Sequence, residues 1–143
     1  MSTLDLETAR TIIAGTRDHA HSAGFKPMTV VVLDAGGHVV AVEREDGSSM
    51  SRFDIGFGKA HGALSLGMGT RSIMGRAEQQ PYFIAAVTSA VGGALVPVPG
   101  GVLVRDSGGE LVGAVGVTGD TSDNDEAAAV AGIEGAGLVA QTD

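Results

Sequence analysis

The sequence lacks cysteine and tryptophan, and its only aromatic residues are four phenylalanines and one tyrosine among 143 residues. Without cysteine the chain has no disulfide framework, no zinc–thiolate or iron–sulfur centre and no thiolate nucleophile. Basic residues are also few, since 9 Lys and Arg oppose 17 Asp and Glu, and the formal net charge is −8. Because an acidic chain opposes binding to a phosphate backbone, we expect no nucleic-acid partner.

Long hydrophobic runs are missing as well. No apolar stretch approaches the ~20 residues of a membrane-spanning helix. Asp5 and Glu7 lie where a signal peptide would carry its basic start and apolar run. We therefore expect a cytoplasmic protein without a membrane partner. The length and the 43% hydrophobic content are typical of one compact domain, covering residues 1–143.

Hydrophobic periodicity predicts one helix and two hairpins. Apolar residues at spacings of three and four predict a first helix over residues 4–23. Two valine-rich runs, 28–33 and 38–42, are joined by a glycine-containing turn and predict a hairpin. The same design recurs at 101–105 and 111–118, which predicts a second hairpin.

Two further helices complete the predicted order. Helical periodicity returns at Phe53 and continues to Met68, and a last helix begins near Ser122 and runs to about Val139. Residues 71–99 show no clean period and are predicted to be irregular, with a loop at their glycine and proline residues. This order favours an α+β fold in which an antiparallel sheet is flanked by helices.

The second predicted helix has two unlike faces. One is an apolar stripe of Phe53, Phe57, Ala60, Leu64 and Met68. The opposite stripe is small and weakly polar, and consists of Ile55, Gly58, Gly62, Ser65 and Gly69. Since each helical glycine costs about 0.5–1 kcal/mol relative to alanine, this stripe indicates close approach of another backbone. We predict a helix packed on two sides, with a neighbouring subunit as a candidate for one of them.

Glycines and carboxylates near the second hairpin do not form a recognised cofactor motif. Gly113, Gly116 and Gly119 have the wrong spacing for a dinucleotide-binding loop, and they lie in or at the end of a strand. Strand glycines instead indicate close approach of a ligand or another backbone. The acidic run at 120–126 lacks the glycine and the bidentate glutamate of an EF-hand loop. Carboxylates at a helix N-terminus complement its dipole without a metal.

The four histidines and three charged residues are the candidate binding groups. His19 lies at the border of the first helix's apolar stripe, and His21 points away from it. His38 opens the second predicted strand, and His61 lies at the border of the second helix's stripe. An imidazole can ligate haem iron, whereas the alternative is a partly exposed histidine with a hydrogen bond. Arg44 and Lys59 can hold a carboxylate or propionate, and the alternative is a surface ion pair with Asp46 or Glu43.

Several segments, in order over most of the chain, resemble the GlcG/HbpS-like family of small bacterial haem-binding proteins, which includes the C-terminal domain of PduO. The matching segments are 30–41 (VVVLDAGGHVVA), 44–47 (REDG), Lys59-Ala60 followed by Ala63, 100–102 (GGV), 112–119 (VGAVGVTG) and Asp125-Glu126. The resemblance implies a profilin-like fold and a homo-oligomer, from dimer to octamer. It also implies that haem is a candidate cofactor, because some members bind or degrade haem.

In haem-binding relatives a histidine of the N-terminal helix is the iron ligand, which selects His19 or His21 here, and the predicted face favours His19. Two positions depart from the family pattern: Leu103 replaces a frequent proline, and Gly62 replaces a frequent threonine. Both positions can line a pocket, so the ligand can differ from that of the relatives.

These observations leave three hypotheses about function. The first is a haem or small anionic ligand-binding protein with a site formed by His19, His21, His61, Arg44, Asp46, Lys59 and Gly101. The second is a cofactor-independent catabolic enzyme that acts on a small carboxylate or a ring-cleavage product. The third is an assembly or sensor protein that acts through the small stripe of the second helix.

Overall fold

The computed structural model describes residues 4–143, and in this range it contains five helices and five strands. The helices are α1 (Leu6–Ser22), α2 (Arg52–Leu66), α3 (Thr70–Gln79), α4 (Pro81–Ala90) and α5 (Ser122–Gly135). The strands are β1 (Thr29–Asp34), β2 (Val39–Arg44), β3 (Gly101–Arg105), β4 (Leu111–Thr118) and β5 (Val139–Gln141). No helix within residues 4–143 combines the length and the apolar character needed to cross a membrane.

The strands form one antiparallel sheet in the order β2-β1-β4-β3-β5. Helices α1 and α5 cover one face and α2 covers the other. Alternate residues of β1 therefore belong to different cores: Val30 and Val32 pack with α1 and α5, whereas Val31 and Leu33 pack with α2. Burial on both faces explains the unbroken valine run, and the predicted α+β fold with an antiparallel sheet flanked by helices is confirmed.

Glycines allow α2 to lie directly on the middle of the sheet. A Cβ added to Gly116 of β4 would overlap the carbonyl oxygen of Gly56 in α2. A Cβ added to Gly101 of β3 would overlap the carbonyl oxygen of Lys59. The close approach predicted from the strand glycines is thus an approach of the α2 backbone.

The small stripe of α2 is covered by the same chain. A Cβ on Gly58 would lie 2.7 Å from a Val96 side-chain carbon, and one on Gly62 would lie 3.0 Å from a Leu95 carbon. The packing of α2 on two sides is confirmed, but this second partner is the segment before β3 rather than a neighbouring subunit. The predicted assembly surface is therefore occupied at Gly58 and Gly62, whereas Ser65 of the same stripe is exposed. Phe53, on the opposite stripe, is 37% exposed.

Residues 71–99 are more regular than predicted. They contain most of α3 and all of α4, which meet at Pro81, the first residue of α4. Proline is favoured at this position because the first helical N–H needs no partner. Ile73, Ile84 and Leu95 form a third buried cluster. Only the end of the segment, after α4, is a loop.

The C-terminal end also differs from the prediction. Helix α5 is capped by Thr121, whose hydroxyl accepts from the Asn124 N–H, and it ends at Gly135 rather than near Val139. Gly137 has a φ of 77°, a left-handed conformation that suits glycine and stops the helix. The chain then forms β5, which pairs with the edge of β3.

The contact between α2 and β4 can be tested with Gly116→Ala. We expect a loss of about 2 kcal/mol or more in the free energy of unfolding, because the added methyl must displace the α2 backbone. Gly75→Ala in α3 is the matched control, since a Cβ at Gly75 would meet no atom within 4 Å. This control should leave stability unchanged or raise it by about 0.5–1 kcal/mol. Equal denaturation midpoints for the two variants would contradict the close contact.

Candidate functional site

Glu45 organises the surface where the end of α1 meets the loop after β2. Its side chain is only 7% exposed. One carboxylate oxygen, Oε2, accepts from Arg17 Nε at 2.9 Å and is hydrogen bonded to His21 Nε2 at 2.6 Å. The other oxygen, Oε1, accepts from the main-chain N–H of Met28 at 2.7 Å. The buried carboxylate therefore fixes the positions of both α1 side chains.

The charge of Glu45 is stabilised by these partners. Burial works against the charged form, but the hydrogen bonds from Arg17, the Met28 N–H and His21 together hold the pKa of Glu45 below its ordinary value of 4.5. Arg17 also forms an ion pair of 2.8 Å with Glu43. Arg17 is thus fully engaged by protein carboxylates, whereas His21 keeps its second ring nitrogen free of any contact with the described residues.

A first cleft of about 260 Å³ opens beside this network. It is lined by Arg17, His21, Phe25, Pro27, Glu45 and Asp46. His19 lies at its border, because its ring packs edge-on against the Phe25 ring with 5.9 Å between centroids. The His19 imidazole is exposed and makes no hydrogen bond with any of residues 4–143.

A second cleft, of about 220 Å³, adjoins the first at Pro27. Its lining consists of Lys26, Pro27, Gly47, Ser48, Ser49, Arg52 and Gly119. Arg44 supports the loop that forms one side, because its Nη1 donates to the carbonyl oxygen of Ser48 at 2.8 Å. The structure thus places Arg44 behind the second cleft and Asp46 in the first.

Lys59 lies apart from both clefts, in a buried ion pair. Its side chain is 2% exposed, and Nζ lies 3.1 Å from Asp125 Oδ2 and donates to the Val117 carbonyl at 2.9 Å. Burial lowers the pKa of Lys59 and raises the pKa of Asp125, while the attraction between the two charges works in the opposite direction. The ammonium group is therefore enclosed within the chain and links α2 to the first turn of α5.

Two other predicted residues also lie on the α2 side. The buried N–H of Gly101 donates to Thr70 Oγ1 at 2.8 Å. His61 stacks on Phe57 with 5.3 Å between ring centroids, and its Nδ1 lies 2.9 Å from the Ala94 carbonyl oxygen. A single copy of the chain thus brings His19, His21 and Asp46 together, and leaves Lys59, His61 and Gly101 on the opposite face of the sheet.

The acidic run at 120–126 has partners within the chain. Asp123 and Glu126 both form ion pairs with Arg71. Asp120 accepts from the main-chain N–H of Lys26, and this bond is the main reason that the pKa of Asp120 is lowered to about 2. These contacts account for the carboxylates without a bound ion.

The fold and the clefts define a small α+β domain with a surface site that combines histidine, one phenylalanine and several cations. The chain belongs to the family described as haem degrading protein HbpS-like, whose model matches residues 4–134. No curated protein matches the chain in sequence.

Solved structures support this assignment. A double mutant of HbpS from Streptomyces reticuli is 27% identical with a TM-score of 0.79, over 94% of this chain and 87% of that one. The Klebsiella pneumoniae protein ORFY, a DUF336 protein, is 26% identical with a TM-score of 0.84, over 96% and 92%. A PduOC:heme complex shares the fold, with a TM-score of 0.84 and 20% sequence identity, over 96% of this chain and 97% of that one. The predicted family resemblance is confirmed.

Sequence reasoning did not single out Glu45, Arg17 or Arg52 as parts of the site. Glu45 stands within the REDG segment at 44–47, so its position was visible but its burial was not. Arg17 and His21 are four residues apart on α1, a spacing that places both on one side of the helix. An arginine and a histidine at this spacing are the sequence pattern expected when both side chains contact one carboxylate.

The network around Glu45 predicts a pH-dependent stability. We expect Glu45→Gln to lower the free energy of unfolding at neutral pH by about 1–3 kcal/mol, because buried donors lose a charged acceptor. The pKa of Glu45 is lower in the folded state than in the unfolded state. Ionised Glu45 therefore stabilises the folded wild-type protein at pH values above the unfolded pKa, and this stabilisation is lost as pH falls through the folded pKa. Urea denaturation from neutral pH to about pH 3 should therefore show the two proteins converging. Glu78→Gln, at an exposed site on α3, should show no such convergence.

The buried ion pair makes a second prediction for unfolding experiments. Lys59→Met and Asp125→Leu should each destabilise the protein by about 3–5 kcal/mol, because each leaves an uncompensated buried charge. The double variant should lose clearly less than the sum of the single losses, since it removes both charges. Additive losses in a double-mutant cycle would contradict a coupled pair.

Proposed function

We propose that this chain is a haem-binding protein and that haem binds at the first cleft, with His19 as the iron ligand. The observation that carries this proposal is the state of the His19 imidazole. It is exposed, has no hydrogen bond within residues 4–143 and packs against Phe25, which lines the cleft. A neutral imidazole with a free nitrogen is a common protein ligand of haem iron.

The residues around the cleft fit the chemistry of a haem group. Phe25 and Pro27 supply apolar contact for a flat ring, and the cationic side chains of the adjoining cleft suit its carboxylate groups. When bound, haem supplies a redox-active iron. The role of this chain's residues is to ligate, orient and shield that group.

His21 is the alternative ligand, and its environment gives it a different role in this proposal. Its Nε2 is held by Glu45 Oε2 at 2.6 Å, so only Nδ1 remains for a metal. A histidine fixed by a carboxylate keeps its ring orientation. We therefore assign His21 to the wall of the cleft, where its ring is positioned by Glu45, and His19 to the iron.

The size of the cleft favours a homo-oligomer. A volume of about 260 Å³ is below the roughly 300–1,000 Å³ of ligand pockets, so one copy covers only part of a porphyrin. A second copy facing the cleft would enclose the remainder. Met50 is 88% exposed and adjoins the second cleft, which gives an apolar contact for such a partner. The proposed range is from dimer to octamer. The description of the family as haem degrading and the heme bound to PduOC, which shares this fold, support haem as the ligand.

The experiment is a haemin titration followed by the Soret band. Wild-type protein should show a saturable shift at one haem per chain or per dimer. His19→Ala should lose it, whereas His21→Ala should retain a weakened form. His38→Ala is the matched control, because His38 lies in the turn before β2 with Asp34 as its partner. Loss of the shift only in His21→Ala would move the ligand to His21, and a non-saturating titration of the wild type would reject haem binding.

A further inference from the structure

The geometry points to an oxyanion site in the second cleft, where Lys26 and Arg52 bind a carboxylate or phosphate group. This site lies beyond the His19 cleft, on the other side of Pro27. Two observations carry the inference: two cations that form no ion pair among residues 4–143 line one cleft, and the cleft has room for only a small group.

Arg52 and Lys26 differ from the chain's paired cations. Arg17, Lys59 and Arg71 each form an ion pair with carboxylates. Arg52 is half-buried, and its Nη1 donates to the Thr118 hydroxyl at 2.7 Å, but no carboxylate lies within 4 Å of it among residues 4–143. Lys26 likewise forms no ion pair within this range.

The lack of an ion pair does not by itself distinguish these two cations, because only Arg17, Lys59 and Arg71 of the nine basic side chains form one within residues 4–143. What distinguishes Lys26 and Arg52 is that both line the same cleft. A half-buried guanidinium has lost part of its hydration, and an external anion would restore this electrostatic stabilisation. The half-buried Arg52, with the exposed Lys26 on the same cleft, therefore indicates attraction for a negative ligand group.

The remaining lining is polar and small. Ser48 is buried and shares a 2.7 Å hydrogen bond with Thr29 Oγ1, while Ser49 is exposed and has a free hydroxyl with respect to residues 4–143. The first turn of α2 starts at Arg52 and also contains Asp54, whose charge offsets the positive end of the helix, so the site depends on the two side-chain cations. Asp120 is not part of the lining, and its carboxylate accepts from the main-chain N–H groups of Lys26 and Thr121. It also attracts the Lys26 charge, although the two form no ion pair, so Arg52 is the stronger of the two anion-binding groups.

The volume limits the ligand class. About 220 Å³ accommodates a carboxylate or phosphate group but not a large organic molecule. The group can come from a free small anion or from a propionate of a haem whose ring lies in the first cleft. The second source rests on the proposed function, whereas the first does not.

The free-anion source is tested by calorimetric titration of haem-free protein with inorganic phosphate and with acetate at low ionic strength. At least one anion should bind saturably. Arg52→Gln and Lys26→Gln should each weaken binding by about tenfold, the scale of one charge-assisted hydrogen bond. Arg52→Lys should restore part of the affinity. Arg10→Gln is the matched control, because Arg10 is exposed on α1 and contacts no acidic group within residues 4–143.

The haem source is tested with haemin and haemin dimethyl ester, in which both carboxylates are blocked. If propionate occupies the cleft, wild-type protein should bind haemin about tenfold more tightly than the ester, and Arg52→Gln should lose this preference. If haemin does not bind but phosphate or acetate does, the proposed function fails and the oxyanion site stands. If neither anion binds saturably and haemin and its ester bind equally, the oxyanion site is rejected, whatever the haem affinity.

Thermal unfolding of each variant shows whether it is folded. Arg52→Gln removes a hydrogen bond to Thr118 and can therefore disturb the fold. Lys26 is exposed, so Lys26→Gln tests the same site without that disturbance. Equal anion affinities in wild type and Lys26→Gln, together with equal affinities in wild type and Arg52→Gln, would also reject the site as described.

Discussion

The contact between the backbone of α2 and the backbones of β3 and β4 determines where two cations of α2, Lys59 and Arg52, lie. It is possible only because Gly101 and Gly116 have no Cβ. Because the two backbones are close, the Lys59 side chain lies against Gly100, the residue before β3, and its ammonium group reaches Asp125 on α5. This contact also sets the first residue of α2, Arg52, against the end of β4. A bulkier interface would move both cations.

The two cations of α2 illustrate how burial and pairing separate structural from binding residues. Lys59 is enclosed and neutralised by Asp125, so its charge contributes to the packing of two helices across the end of the sheet. Arg52 lies seven residues earlier, near the surface, and has a neutral hydroxyl as its partner. In the sequence both are simply basic residues. Only the three-dimensional structure shows that the Lys59 charge is paired within the chain, whereas the Arg52 charge can still bind a ligand.

Helices and strands with a clear hydrophobic periodicity could be predicted from the sequence. Elements that depend on contacts between distant parts of the chain could not. Helix α1 and both hairpins follow directly from residue spacing. Helix α4 was not recognised because its sequence, PYFIAAVTSA, is almost uniformly apolar and small and so has no polar face to set a period. Strand β5 depends on the free edge of β3. The partners of Glu45 and Lys59 lie 17 to 66 residues away, beyond the reach of local pattern.

The two clefts together determine how a flat ligand would be held. Only one aromatic residue, Phe25, lines the first cleft, and the second has none among the described residues, so ring stacking makes a small contribution. In the proposed complex, affinity comes instead from coordination by His19 and from charge at Lys26 and Arg52. Coordination by His19 would hold the iron, and the oxyanion contacts would hold the carboxylates beyond Pro27. With coordination by His19 alone, the porphyrin could rotate about the single metal–nitrogen bond. A second contact, with the carboxylates on the other side of Pro27, would fix the orientation of the porphyrin.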